Sequence, residues 1–150
     1  MRTLVLGYGN PGRGDDGLGP VLIERLAERV EDSVTLLTAI QLQPEHIFDL
    51  QGHDRILLVD AGLETPAPFH WERLQPRRDA SAFSHALSPW ALLAIHVKIL
   101  NVSSPAAFLL TIRGECFELG ESLSPLAQTY LQQALDFVIT WLADVRAVAG

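Results

Sequence analysis

Apolar positions along this chain fall into short blocks whose spacing alternates between that of buried strands and that of amphipathic helices. Thr3 to Leu6 predicts a short buried strand. Val21, Leu22, Leu26 and Val30 recur at helical intervals, with Glu24, Arg25, Glu28 and Arg29 on the other face. Ser33 to Ile40 is β-branched and apolar, a second strand. Pro44 to Leu50 predicts a short helix with proline at its first position. Arg55 to Asp60 is the clearest strand, apolar between its ends, as a strand buried on both faces of a parallel sheet would be. Phe69 to Leu74 is a further strand inside a stretch with three prolines, and Arg77 to Ala86 a loop. Ser88-Pro89 opens a helix to about Leu100, with Ser88 as its cap. Ala106 to Arg113 is the last strand. Ser124-Pro125 starts a final helix with an apolar stripe over Leu131, Ala134, Leu135, Val138, Ile139 and Leu142.

Strands alternating with helices predict an α/β fold: a three-layer α/β/α sandwich around a mostly parallel twisted sheet of about five strands. A chain of 150 residues fits one domain, here residues 1–150. Ligands of such folds sit beyond the carboxyl ends of the strands. That rule places the end of the first strand and its following turn, Gly7 to Asp16, on the same edge as Asp60.

The turn itself is Gly7-Tyr8-Gly9-Asn10-Pro11-Gly12-Arg13-Gly14-Asp15-Asp16-Gly17-Leu18-Gly19-Pro20. Glycine-rich turns after a strand commonly receive phosphate. Here two adjacent carboxylates at the helix start suit a cation instead. Asp16 and Asp60 are expected to converge, with Asp15 as a cap or a partner behind them. His85, in the loop before Ser88-Pro89, is the best third group. Two carboxylates and one imidazole leave coordination positions open and suit a divalent ion such as zinc or nickel. Such an ion polarises a carbonyl or activates water.

Net charge is -7, which argues against nucleic acid and anionic membrane as partners. Hydrophobic residues make up 48% of the chain, enough for a real core and too many for disorder. Cys116 is the single cysteine, so no internal disulfide is expected and a reducing cytoplasm fits. Neither a signal peptide nor a membrane-length apolar run is visible. A monomer is the default expectation. Cys116 is expected to be a small buried hydrophobe, and His96 to line an interior face. His46, His53 and His70 show no partner spacing, and Glu115, Glu118 and Glu121 predict a solvated cluster.

The segment Gly9 to Pro20 resembles the signature of the maturation endopeptidases of nickel–iron hydrogenases. The resemblance continues through Leu58-Val59-Asp60-Ala61-Gly62, Ser84-His85-Ala86-Leu87-Ser88-Pro89 and Phe117-Glu118-Leu119-Gly120-Glu121-Ser122-Leu123-Ser124-Pro125. The stretch Gln41-Leu42-Gln43-Pro44-Glu45 is similar to the branch serving soluble or bidirectional hydrogenases. This likeness implies removal of a C-terminal extension from a nickel-loaded hydrogenase large-subunit precursor. It maps the family's metal-contacting and catalytic residues onto Asp16, Asp60 and His85, and places Gln41 where the precursor is recognised. Nickel would arrive with the precursor, with no tightly bound organic cofactor, and the resting protein would be largely metal-free.

Three other functions share some of these features. A dinucleotide-binding oxidoreductase would use Gly7-Tyr8-Gly9-Asn10-Pro11-Gly12 as G-x-G-x-x-G. Pro11 removes a donor, Asp15 and Asp16 repel a pyrophosphate, and no acidic residue ends the second strand. A non-catalytic chaperone for nickel or precursor would use the same three ligands. A metal-dependent hydrolase of a small substrate has no motif of its own here.

Overall fold

The computed structural model describes residues 1–83 and 86–144. Its five strands are β1 (Thr3–Tyr8), β2 (Val34–Ala39), β3 (Arg55–Gly62), β4 (Phe69–Leu74) and β5 (Ala106–Arg113), in sheet order β2-β1-β3-β5-β4. All neighbours are parallel except β4, which runs antiparallel to β5 at the edge. The helices are α1 (Leu18–Leu26), α2 (Ile47–Leu50), α3 (Pro89–Leu100) and α4 (Pro125–Ala143). The mostly parallel five-stranded α/β sheet expected from the pattern is the one present.

Side chains alternate across the sheet and divide the core in two. Val5, Leu57, Val59, Leu110 and Ile112 face α1 and α4. Leu4, Leu6, Tyr8, Ile56, Leu58 and Leu109 face the other way, against α2, α3 and the buried Leu42 and Leu87. The central strands are buried on both faces, which is why β3 reads as a continuous apolar run.

Both serine caps are in place. Ser88 Oγ accepts from Ala91 N at 3.1 Å and Ser124 Oγ from Ala127 N at 3.3 Å, each followed by proline in the first turn. Helix α1 stops at Leu26 rather than reaching Val30, because Arg29 N turns back to Leu26 O at 2.8 Å. The Arg77 to Ala86 loop contains a short 3-10 turn, Ala80–Phe83. Buried Arg55 ties the amino edge of the sheet to the end of α4. Its guanidinium donates to Thr3 Oγ1, Trp141 O, Leu142 O and Asp144 O at 2.7–3.1 Å and lies 4.2 Å from the centre of the Trp141 ring. Among the described residues no helix is long and apolar enough to cross a membrane.

Candidate active site

The carboxyl edge of the sheet gathers the end of β1, the turn after it, and the end of β3. Parallel register sets Gly7 beside Val59, so Tyr8 and Asp60 follow one step further on adjacent strands. Both side chains continue the face that carries Leu4, Leu6, Ile56 and Leu58. Tyr8 hydrogen-bonds Asp60. Burial first, then the Asp60 charge, hold the Tyr8 phenol well above its usual proton affinity, so Tyr8 is the donor.

Glycine brings the second carboxylate in. At Gly9 (φ 140°) a Cβ would lie 2.0 Å from the carbonyl oxygen of Asp16, so only glycine lets the turn fold back this closely. The room beside Gly9 is filled by the chain's own backbone rather than kept for a phosphate, which counts against the dinucleotide function. Asp16 Oδ2 accepts from Asn10 N at 2.9 Å, and Asp60 Oδ1 from Ala61 N at 2.7 Å. Each half-buried carboxylate is thus anchored through one oxygen to a nearby backbone amide, Asp16 within its turn and Asp60 within β3.

The two carboxylates feel each other. Asp60 is pushed up to about 6, chiefly by burial and further by the Asp16 charge, against the lowering effect of the Ala61 amide and the Tyr8 hydroxyl. A carboxyl that gains a proton near neutrality can exchange that proton with a substrate. It also gains most from a cation, which removes the repulsion that raised it.

Asp15 faces the other way and is completely buried. It accepts from Glu115 N (2.7 Å), Cys116 N (3.2 Å), Ser124 N (2.7 Å) and Ser124 Oγ (2.7 Å). Burial opposes its charge, but these four hydrogen bonds outweigh it and hold Asp15 below the usual carboxylate range. Its own amide donates to Cys116 O at 2.8 Å, and Gly120 N donates to Gly12 O at 2.9 Å. The loop after β5 is therefore laced to the turn that carries Asp16. Asp15 is the supporting partner expected from its position.

His85 lies outside the described residues. Gln41 is half-buried directly after β2, beside the turn, since Gly9 N donates to Ala39 O at 3.0 Å. Among the described residues no three His, Cys, Asp or Glu side chains are grouped to hold a metal. Beyond Asp60, an open depression of about 590 Å³ is lined by Ala61 to Thr65 and Phe117. A cavity of about 520 Å³ at the opposite edge is lined by Thr3 and Arg55 among others, away from the carboxylates.

Several expectations change. Cys116 is half-buried rather than a core residue, because its backbone faces Asp15. His70 pairs with Glu72 at 3.0 Å, His46 Nδ1 accepts from Gln43 N at 2.9 Å, and His53 meets Thr35 Oγ1 at 3.3 Å. His96 is buried, as its helical spacing implies. Tyr8 is the site residue that the sequence pattern missed; strand alternation from Leu4 and Leu6 puts it on the Asp60 face, and only the register makes it a neighbour.

No family model matches the chain. It is 28% identical to the hydrogenase 2 maturation protease of Escherichia coli over 151 residues, covering 96% of this chain and 92% of that protein. Its fold is similar to that of a [NiFe] hydrogenase maturation protease, HycI, from Thermococcus kodakarensis, with a TM-score of 0.75, 21% identity and coverage of 95% and 93% of the two chains. The hydrogenase maturating endopeptidase HybD of Escherichia coli gives a TM-score of 0.74 at 24% identity, covering 95% and 92%. Sequence and fold thus agree in likening the chain, over almost its whole length, to hydrogenase maturation proteases.

Proposed function

We propose that this protein is a peptidase of the hydrogenase maturation type, which removes the C-terminal extension of a [NiFe]-hydrogenase large-subunit precursor. The observation that carries this reading is the Asp16–Asp60 pair. It stands at the carboxyl edge of a sheet whose whole fold is similar to those proteases. In this reading nickel belongs to the substrate. Precursor thiolates hold it, and Asp16, Asp60 and His85 complete its coordination, so that only a loaded precursor seats correctly. Water attacks the peptide carbonyl beside the metal, and a carboxylate of the pair takes its proton. The amine of the released extension is the leaving group. Gln41 and the following Leu42-Gln43-Pro44-Glu45 flank the entry to this edge and contact the precursor. Their likeness to the branch serving soluble or bidirectional hydrogenases supports a precursor of that kind.

The donor set fits the role. Asp60 is held near neutrality by burial and by Asp16, a cost that an arriving divalent ion relieves. Asp16→Ala, Asp60→Ala and His85→Ala should each abolish processing of a nickel-loaded precursor while leaving the fold intact by circular dichroism. Full processing by Asp60→Ala would refute the arrangement.

A further inference from the structure

The two edges of the sheet are built differently. β4 carries His70, Glu72 and Arg73, the kind of charge that keeps a strand edge from pairing further. β2, Val34-Thr35-Leu36-Leu37-Thr38-Ala39, stands at the opposite edge with no charged residue and no proline. Among the described residues no strand pairs with its outer side. The ladder to β1 shows which groups face outward. Thr3 N donates to Ser33 O and Gly9 N to Ala39 O, each at 3.0 Å, at the two ends of the parallel pair. In a parallel ladder alternate residues bond the same neighbour, so Thr35, Leu37 and Ala39 face β1. Leu36 and Thr38 therefore turn their N–H and C=O groups outward. Val34 faces the same way, but its N–H is taken by Glu31 O at 3.0 Å. Thr38 is exposed, and Ile40 just beyond the strand is 63% exposed.

We infer that the outer edge of β2 receives the C-terminal extension of the precursor as an added antiparallel strand, an assignment that rests on the functional reading above. Outward N–H and C=O groups recognise main chain rather than one particular side chain, which suits an extended peptide. The edge leads into the candidate site, because Ala39 O holds Gly9 N in the turn that carries Asp16. An added strand lies three strand positions from β3, about 14 Å at the usual spacing, which about four extended residues span. The extension leaves a bond held at Asp16 and Asp60, crosses the exposed Ile40, and runs back along Thr38 and Leu36 toward Val34. That direction is antiparallel to β2, because the bond lies at the carboxyl end of the strands. A second copy of this chain is the weaker occupant. Two chains of net charge -7 repel, and Glu31 and Asp32 are exposed at the amino end of β2. The same charges favour a neutral or basic extension.

The test is Thr38→Pro beside Thr38→Val, assayed on nickel-loaded precursor with its whole extension and with the extension cut to about four residues. Proline removes the outward N–H and is tolerated on the open side of an edge strand, while valine keeps the N–H. Binding energy from the extension is shared by substrate and transition state, so its loss raises KM. With the whole extension, Thr38→Pro should raise KM about tenfold at nearly unchanged kcat, and Thr38→Val should match wild type. With the short extension, wild type and Thr38→Pro should share one raised KM. In wild type, a synthetic peptide of the extension should slow hydrogen exchange of the Leu36 and Thr38 amides, a readout that holds even if Thr38→Pro fails to fold. Unchanged KM in folded Thr38→Pro, or unslowed exchange with excess peptide, would overturn the docking edge. So would an equal loss on the shortened precursor, which would place the effect of proline in the site itself. A concentration-dependent dimer that Thr38→Pro abolishes would overturn it in favour of a second copy. No cleavage of the loaded precursor by wild type would instead overturn the functional reading.

Discussion

Asp60→Asn should stabilise this protein at neutral pH and lose that advantage in acid. Asp60 is held at about 6 instead of the ordinary 3.8, by burial above all and by the facing Asp16 charge. Between those two values the folded protein holds more protons at this site than the unfolded chain. Stability contributed by the raised group is therefore full below 3.8 and lost as pH rises through 6. One pKa step is worth about 1.4 kcal/mol, so the ionised Asp60 costs the folded state about 3 kcal/mol at pH 7.5 and about 0.5 kcal/mol at pH 4. Asparagine removes the titration while its Oδ1 can still accept from Ala61 N. It adds amide hydrogens whose effect does not vary with pH, so the difference between the two pH values isolates the charge. Urea unfolding of wild type and Asp60→Asn in chelator-containing buffer should give a stability difference about 2.5 kcal/mol more favourable to the variant at pH 7.5 than at pH 4. A difference independent of pH, or one larger in acid, would refute the reasoning. A gain in stability from removing a site carboxylate marks a residue kept for chemistry at the expense of the fold.

Asp15→Ala leaves four donors of the 115–124 loop without their buried acceptor and should cost about 3 kcal/mol or more by urea unfolding. The Asp15 carboxyl is lowered rather than raised. Its contribution is therefore present above the unfolded carboxylate range and disappears as pH falls through the folded value, opposite in sign to Asp60. Arg55→Met should cost about 2–4 kcal/mol, measured the same way. The carbonyls of Trp141 and Leu142 lose their donors at the end of α4, and hydrogen exchange of the last turn of α4 should quicken. Gly9→Ala drives a Cβ into the Asp16 carbonyl and should displace the turn. Processing should be lost, with amide shifts centred on Asn10 to Gly17; an unperturbed NMR spectrum would contradict this packing.

The edge that carries the site was legible because it depends on local signals. A strand ending in a carboxylate, a glycine turn ending in two more, and a fold rule about strand ends together place Asp16 and Asp60. The serine caps of α3 and α4 were legible for the same reason, since Ser-Pro sets the first turn within four residues. What remained hidden is long-range. The ligands of Asp15 come from residues about 100 positions away, and no local pattern pairs them. Tyr8 reads as one more apolar residue of β1 until the β1–β3 register sets it beside Asp60. The orientation of β4 was hidden because Thr65 to Pro76 has no clear period, and its antiparallel pairing to β5 is set by the partner strand. Arg55, first residue of the most apolar strand, gives no hint in sequence that it closes the far end of α4.

The central claim is a peptidase that acts on a metal-loaded substrate, and intact-mass analysis tests it most directly. A hydrogenase large-subunit precursor would be prepared with and without nickel and weighed before and after mixing with this protein. Loss of a C-terminal peptide from the nickel-loaded precursor alone is the predicted result. Binding without any loss of mass, or equal cleavage of the nickel-free precursor, would contradict it.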